Sequence, residues 1–186
     1  MYLSRRHLPH LYVREQPLFV TFRLHGSLPP GRQFPKQSMS SGKAFVYMDR
    51  LLDNHRSSPM YLQAPNIAQC VVDAIQQGGS SNYFLHAWVV MPNHVHLLIT
   101  PRTDVPMLLQ KLKGSTARQA NKWLGRTGTP FWQEESYDHL VRNTKEFGRI
   151  ENYIAQNPVQ AGLVQSAEEY AWSSAGKCGG LKPAAG

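Results

Sequence analysis

Acidic residues and cysteines are scarce in this chain of 186 residues. Asp and Glu number 12 against 20 Lys and Arg, so the formal net charge is +8 at pH 7 although charged residues make up only 17% of the chain. With Cys70 and Cys178 alone, the multiple disulfides of a small secreted scaffold are excluded. A zinc ribbon is excluded too, because no Cys-x-x-Cys pair is present. Hydrophobic residues form 41% of the chain, enough to build a core.

Long apolar runs are also missing. No uncharged stretch approaches the roughly 20 residues that cross a bilayer. The start of the chain is superficially like a twin-arginine export signal at Arg5 and Arg6, but Pro9, His10 and Arg14 interrupt the apolar segment such a signal needs. We therefore expect a cytoplasmic protein with no membrane partner.

Hydrophobic patterning predicts the order strand, helices, two strands, helix, strand, helix. Strands are predicted at 18–24, 83–91, 94–100 and 131–141, and helices at 44–55, 65–77, 103–124 and from 143 onward. This is the βαββαβ order of a ferredoxin-like or RRM-like fold, of class α+β, with an antiparallel sheet and helices packed on one face. Residues 1–175 are predicted to form a single domain, with a flexible loop at about 26–43 and a mobile tail at 176–186.

Two histidines stand out in the second strand of the predicted hairpin. In a strand, His94 and His96 point to the same side with Cα atoms roughly 6.5–7 Å apart, while Val95 points into the core. Two imidazoles at that spacing can converge on one divalent ion. The alternative is two polar residues on the solvated face of a hairpin. His86, on the partner strand, is a further imidazole that could join the pair or be structural.

The last helix offers Tyr153 and Asn157 on one face, since they are four residues apart. Two other interpretations stay open. Tyr153 could be a packing aromatic. Asn157 could be the N-cap of a short extra turn, with Pro158 in its first position and Gly162 at its end.

The excess of basic residues favours a polyanionic partner, and nucleic acid is the first candidate. Basic residues that could position phosphates lie near the N-terminus, on the helix after the histidines and before the last helix: Arg5, Arg6, Arg14, Lys111, Lys113, Arg118, Lys122 and Arg142. Trp132, Tyr137 or His139 could stack on bases. The alternative for each basic residue is an ordinary solvated surface.

Several segments together carry a family resemblance. The stretches HAWVVMPNHVHLLITP, FWQEESYDHLVRN, RIENYIAQNPVQAGLV and AWSSA, with the opening LPHLYVREQPLFVTFRLHGSLP, resemble the REP-associated tyrosine transposases of the single-tyrosine HUH superfamily over about residues 7–175. The resemblance implies that His94 and His96 are metal ligands, that Asn157 is an amide ligand and that Tyr153 is the nucleophile. It also implies Mg²⁺ or Mn²⁺ as the cofactor.

The activity implied by this resemblance is a metal-dependent single-strand DNA endonuclease and strand transferase. Its substrate would be hairpin DNA of repetitive extragenic palindromes, and it would act through a covalent 5′-phosphotyrosine. Such a protein would be associated with the nucleoid, as a monomer or a homodimer. Two alternatives remain open: a non-catalytic binder of palindromic repeats, and a metal-dependent phosphohydrolase. The hydrolase would need carboxylates, for which Glu135 and Asp138 are the only nearby acids considered.

Overall fold

A computed structural model describes residues 2–5, 9–12, 15–28, 49–52 and 58–176. Strands β1 (Tyr2–Arg5) and β2 (Pro9–Tyr12) pair with each other in a separate antiparallel ribbon. Strands β3 (Leu18–Arg23), β4 (Tyr83–Val90), β5 (His94–Pro101) and β6 (Tyr137–Leu140) form the main sheet, in the spatial order β4-β5-β3-β6. All its neighbours are antiparallel, as the sequence predicts.

The hairpin that carries the histidines occupies the middle of this sheet. Strand β5 pairs with β4 on one side and with β3 on the other, so His96 lies opposite Val89 and Thr21. The turn after β4 is closed by a hydrogen bond from the Met91 amide to the His94 carbonyl, at 2.8 Å. The predicted tight turn is therefore present, and it places both histidines where strands flank them on either side.

The helices divide between the two faces of the sheet. Helices α1 (Pro65–Gly79) and α2 (Val105–Trp123) cover one face, and α3 (Thr144–Gln160) covers the other. Alternation along the strands separates the two layers. Toward α1 and α2 point Val20, Phe22, Trp88, Val90, Val95, Leu97 and Ile99, and toward α3 point Phe19, Ala87, Val89, Met91 and Leu98.

The predicted α+β class and antiparallel sheet are confirmed, with one correction. The expectation that the helices pack on one face is wrong for α3, which lies opposite α1 and α2. The physical reason is that the second face is itself largely apolar. Val89, Met91 and Leu98 are fully buried there, and Ile154 of α3 provides cover that solvent could not.

Helix boundaries follow the capping residues of the sequence. The Asp104 side chain accepts a hydrogen bond from the Met107 amide at the start of α2, and Asn143 accepts one from the Glu146 amide at the start of α3. The interpretation of Asn157 as an N-cap is wrong, because α3 continues through Pro158 to Gln160. A proline in the final turn removes a single backbone hydrogen bond, which the preceding helical turns tolerate.

The end of the described chain is tied to the outer edge of β4. The Val90 amide donates to the Trp172 carbonyl (2.8 Å), the Ser174 amide donates to the Trp88 carbonyl (2.9 Å), and Ser173 is fully buried. Residues 29–43 of the predicted flexible loop and 177–186 of the predicted mobile tail lie outside the described residues. Among the residues that are described, no helix combines the length and apolar character needed to cross a membrane.

Candidate active site

The two histidines of β5 are fully buried beneath α3, so they do not lie on a solvated face. Their Nε2 atoms are 3.1 Å apart, and their rings meet edge to face with centroids 4.6 Å apart. The spacing of two residues along a strand brings them to the same side, as predicted, while Val95 points into the opposite core.

Neighbouring polar groups orient both imidazoles. The Asn93 side chain donates through Nδ2 to the Leu52 carbonyl (2.8 Å) and to Ser58 Oγ (3.1 Å), so its Oδ1 faces His94 Nδ1 at 2.6 Å. Because Oδ1 can only accept, His94 Nδ1 carries a proton and a neutral ring keeps its Nε2 lone pair. His96 Nδ1 lies 2.8 Å from the Thr21 hydroxyl on β3. Such partners are typical supports of metal-binding histidines.

A buried carboxylate completes a triangle with the two rings. Asp49 Oδ1 lies 3.2 Å from His94 Nε2 and 3.1 Å from His96 Nε2, and the Asp49 side chain is only 3% exposed. Ligand atoms that surround one divalent ion at about 2.1 Å and at right angles lie about 3 Å apart. Two imidazole nitrogens and a carboxylate oxygen are also a donor set that suits Mn²⁺ and related ions. These residues therefore fit a divalent metal.

The charge state of this carboxylate follows from its surroundings. Burial raises the pKa of the Asp49 carboxyl, but the coulombic attraction of His96 and His94 outweighs burial and holds that pKa well below its usual range. A buried carboxylate needs positive charge in contact with it. Two imidazoles supply that charge only when protonated, and a bound metal ion would supply it otherwise.

The second oxygen of Asp49 faces α3. The Tyr153 hydroxyl and Asn157 Nδ2 both donate hydrogen bonds to Oδ2, the latter at 2.7 Å. Asn157 Nδ2 also lies 3.3 Å from the Tyr153 hydroxyl. The other amide atom, Asn157 Oδ1, is buried and has no hydrogen-bond partner among the described residues. One carboxylate thus joins the histidine pair to the tyrosine helix.

Tyr153 is half-buried and faces the histidines of its own chain. Its ring lies 5.8 Å from that of His96 and meets Phe19 edge to face, with centroids 6.5 Å apart. The position results from the helical stripe of α3, in which Ile154 is fully buried and holds the helix on the sheet. The structure thus brings together His94, His96, Tyr153 and Asn157, the four residues that the sequence singled out.

Sequence reasoning missed Asp49, and the search for acids at Glu135 and Asp138 was wrong. Within the described part of the chain, Asp49 is the acid that groups with His94 and His96. A signal was present, because positions 45, 48, 49 and 52 form one stripe of the predicted helix 44–55, and the acid interrupts an otherwise apolar stripe. His86 is not part of this group; it lies 2.7 Å from Thr100 Oγ1, and burial lowers its pKa.

Most of the basic residues considered for DNA contact lie apart from this site. Lys111, Arg118 and Lys122 are exposed on α2, the helix that covers the opposite face of the sheet. Lys113 donates to the carbonyl oxygens of Gln133 (2.7 Å) and Glu134 (2.8 Å), so its charge secures a loop.

The remaining candidates for DNA contact are distributed over other parts of the chain. Arg142 is exposed just before α3, Arg5 belongs to β1, and Arg6 and Arg14 lie outside the described residues. Of the stacking candidates, Trp132 is buried and donates to Thr116 Oγ1 (2.9 Å), so it belongs to the core and its predicted role in base stacking is wrong.

Comparison with known proteins places this geometry in a family context. The family model described as "Transposase IS200 like" matches residues 66–157, which include both histidines and Tyr153. The REP-associated tyrosine transposase of Escherichia coli (strain K12) is 30% identical over 93 residues, covering 48% of this chain and 53% of that protein. A second relative, from Haemophilus influenzae, is 28% identical over 96 residues and 54% of its length. The chain therefore spans about half the length of the curated relatives it matches.

A solved structure extends the likeness to most of the fold. The structure described as a REP-associated tyrosine transposase bound to a REP hairpin superimposes with a TM-score of 0.58 at 21% identity. The superposition covers 94% of this chain and 82% of the other. At that identity the likeness concerns the fold, including the four-stranded sheet and its helices.

Proposed function

Because this chain belongs to the family of IS200-like transposases and resembles its REP-associated members, we propose that it cuts and rejoins single-stranded DNA through a covalent 5′-phosphotyrosine. The observation that carries the proposal is the buried cluster in which the Tyr153 hydroxyl and the His94–His96 pair meet at one carboxylate. A nucleophile beside a set of metal ligands is the arrangement that phosphoryl transfer requires.

The metal ligands in this proposal are His94 and His96, with the unpartnered Asn157 Oδ1 as an amide ligand. The ion would be Mg²⁺ or Mn²⁺. When bound, it supplies positive charge to a non-bridging oxygen of the scissile phosphate. The contacts from Asn93 and Thr21 would keep both rings aimed at that point.

Tyr153 carries the covalent chemistry. Its oxygen forms a bond to phosphorus while the bond from phosphorus to the 3′ oxygen of the preceding nucleotide breaks. The hydroxyl proton leaves Tyr153 and a proton reaches the released 3′ oxygen, so the products are a 5′-phosphotyrosine and a free 3′-OH. Attack by a 3′-OH on the adduct reverses the step and rejoins strands without water or ATP. Because Tyr153 faces the histidines of its own chain, we propose that both act in the same subunit.

The proposed substrate is a DNA hairpin of a repetitive extragenic palindrome. Support comes from the relative whose structure is described as bound to a REP hairpin, together with the net charge of +8 of this chain. Association with the nucleoid is part of the same proposal.

Replacing Tyr153 by Phe tests the function directly. The change removes one oxygen and keeps the ring, so any lost hydrogen bond should cost only about 1 kcal/mol of stability. We expect cleavage of hairpin oligonucleotides from the gene's own genomic neighbourhood to disappear, together with the protein–DNA band on a denaturing gel, while hairpin affinity survives.

A matched control is Tyr170→Phe. Tyr170 packs on the same face of the sheet, where its hydroxyl donates to the Val90 carbonyl (2.9 Å), away from the cluster. This variant should form the adduct normally. An adduct that persists in Tyr153→Phe would remove Tyr153 as the nucleophile.

A phosphohydrolase is the second candidate, and Asp49 favours it because a hydrolase normally places carboxylates at its metal. The denaturing gel separates the two functions. Cleavage without any covalent band in the unmodified protein would support attack by water, and hairpin binding without cleavage would support a non-catalytic binder.

A further inference from the structure

Asp49 is the one member of the cluster that contacts both halves of the proposed chemistry. Its Oδ1 lies within 3.2 Å of both imidazole Nε2 atoms, and its Oδ2 accepts hydrogen bonds from Tyr153 and Asn157. The helical segment 49–52 that carries Asp49 comes from a part of the chain outside the matched family region 66–157.

The burial of this carboxylate is difficult to explain as a structural feature. Asp49 is 3% exposed, and the groups around it are the two histidines, the tyrosine hydroxyl and an amide. A carboxylate that only stabilised the fold would be expected to contact backbone amides or an arginine. Here each oxygen instead faces groups that a nucleic-acid-cleaving site would use.

We propose that Asp49 is a third protein ligand of the divalent ion and, through its second oxygen, the residue that positions the Tyr153 hydroxyl. Bridging by one carboxylate would fix the distance between the ion and the nucleophile. The ligand half of this proposal stands on its own, whereas the positioning half rests on the proposed function, because it assumes that Tyr153 is the nucleophile.

The bridge also connects two distant parts of the chain. The helix segment of Asp49 is attached to the hairpin turn, because Asn93 Nδ2 donates to the Leu52 carbonyl (2.8 Å) while Asn93 Oδ1 orients His94 (2.6 Å). Leu52 is itself buried against Leu28. A displacement of this segment would therefore disturb both the carboxylate and the orientation of one imidazole.

Mn²⁺ binding to the full-length chain, followed by the electron paramagnetic resonance signal of free Mn²⁺ and without DNA, tests the ligand role. We expect Asp49→Asn to raise the Kd for Mn²⁺ about 10- to 100-fold. The matched control is Asp73→Asn, which makes the same change on the exposed surface of α1, where Asp73 accepts a hydrogen bond from Gln69 (2.7 Å). An unchanged Kd in Asp49→Asn, while His96→Ala abolishes binding, would overturn the ligand role.

Single-turnover cleavage at saturating Mn²⁺ tests the positioning role. Asp49→Asn should cleave a hairpin oligonucleotide about 10-fold or more slowly than the unmodified chain at saturating metal, with an unchanged Kd for the hairpin. Full recovery of the rate at saturating Mn²⁺ would overturn positioning. Cleavage faster than that of the unmodified chain would overturn the whole proposal, because the carboxylate would then obstruct the site.

Asp49→Ala provides a second variant that removes both oxygens, and the same outcomes apply to it if Asp49→Asn does not fold. Circular dichroism in the presence of a chelator checks folding of each variant. Because the Mn²⁺ measurement needs no DNA, it can fail while the Tyr153→Phe result stands, and the reverse also holds.

Discussion

The two faces of the central sheet use the same strands for opposite purposes. Toward α1 and α2, the middle strand presents Val95, Leu97 and Ile99, which are fully buried among apolar side chains. Toward α3 it presents His94 and His96, equally buried but surrounded by oxygen and nitrogen atoms. Burial alone therefore does not distinguish core from site, whereas the chemistry of the neighbouring atoms does.

The difference predicts how stability and activity divide between the faces. Apolar burial stabilises the fold in proportion to the area removed from water. Buried polar groups must instead be satisfied by partners, and they contribute little net stability. Substitutions in β5 should consequently act on stability or on chemistry according to whether the position points toward α2 or α3.

His94→Ala should have the largest effect, and it is an effect on chemistry. We expect cleavage of hairpin DNA to be abolished while hairpin affinity is largely kept, because the imidazole is proposed to act at the scissile phosphate through the metal. Excess chelator should produce the same loss in the unmodified chain. Efficient cleavage in a chelator would contradict the metal site.

A mixing experiment sharpens this prediction. Combining the His94→Ala chain with the Tyr153→Phe chain should leave cleavage absent, because Tyr153 faces the histidine pair of its own chain. Recovery of activity in the mixture would show that tyrosine and histidines come from different subunits.

Leu97→Ala should have the next largest effect, and it is an effect on stability. Leu97 is fully buried on the face toward α1 and α2, so truncation should lower the free energy of unfolding by about 2–5 kcal/mol. Chemical denaturation measures the loss. The rate of cleavage per folded molecule at low temperature should stay close to that of the unmodified chain, and a specific loss of rate would weaken the separation of the two faces.

Replacing Lys111, Arg118 and Lys122 together by Gln should have the smallest effect. We propose that these residues contribute phosphate contacts, although they lie on the outer side of α2, across the sheet from Tyr153. Hairpin affinity should fall and its dependence on salt should flatten by up to about 3 in the log–log slope. The cleavage rate at saturating DNA should not change, and an unchanged affinity would remove α2 from the DNA contact surface.

Local sequence patterns predicted the features that depend on neighbouring residues. The alternation around Val95 and the spacing of Tyr153 and Asn157 both hold, because strand and helix periods determine which side chains share a side. The caps Asp104 and Asn143 begin their helices as expected. The cap assigned to Asn157 did not hold, because packing of α3 on the sheet extends the helix through Pro158.

The sequence by itself determined the strand order of the hairpin, the pairing of the two histidines and the identity of the tyrosine stripe. The tertiary structure alone decided that α3 covers the histidine face and that Asp49 stands between His96 and Tyr153. The reason is range. A strand or helix places residues two or four positions apart, whereas the 45 positions from residue 49 to residue 94 are brought together only by the packing of separate elements around a shared core.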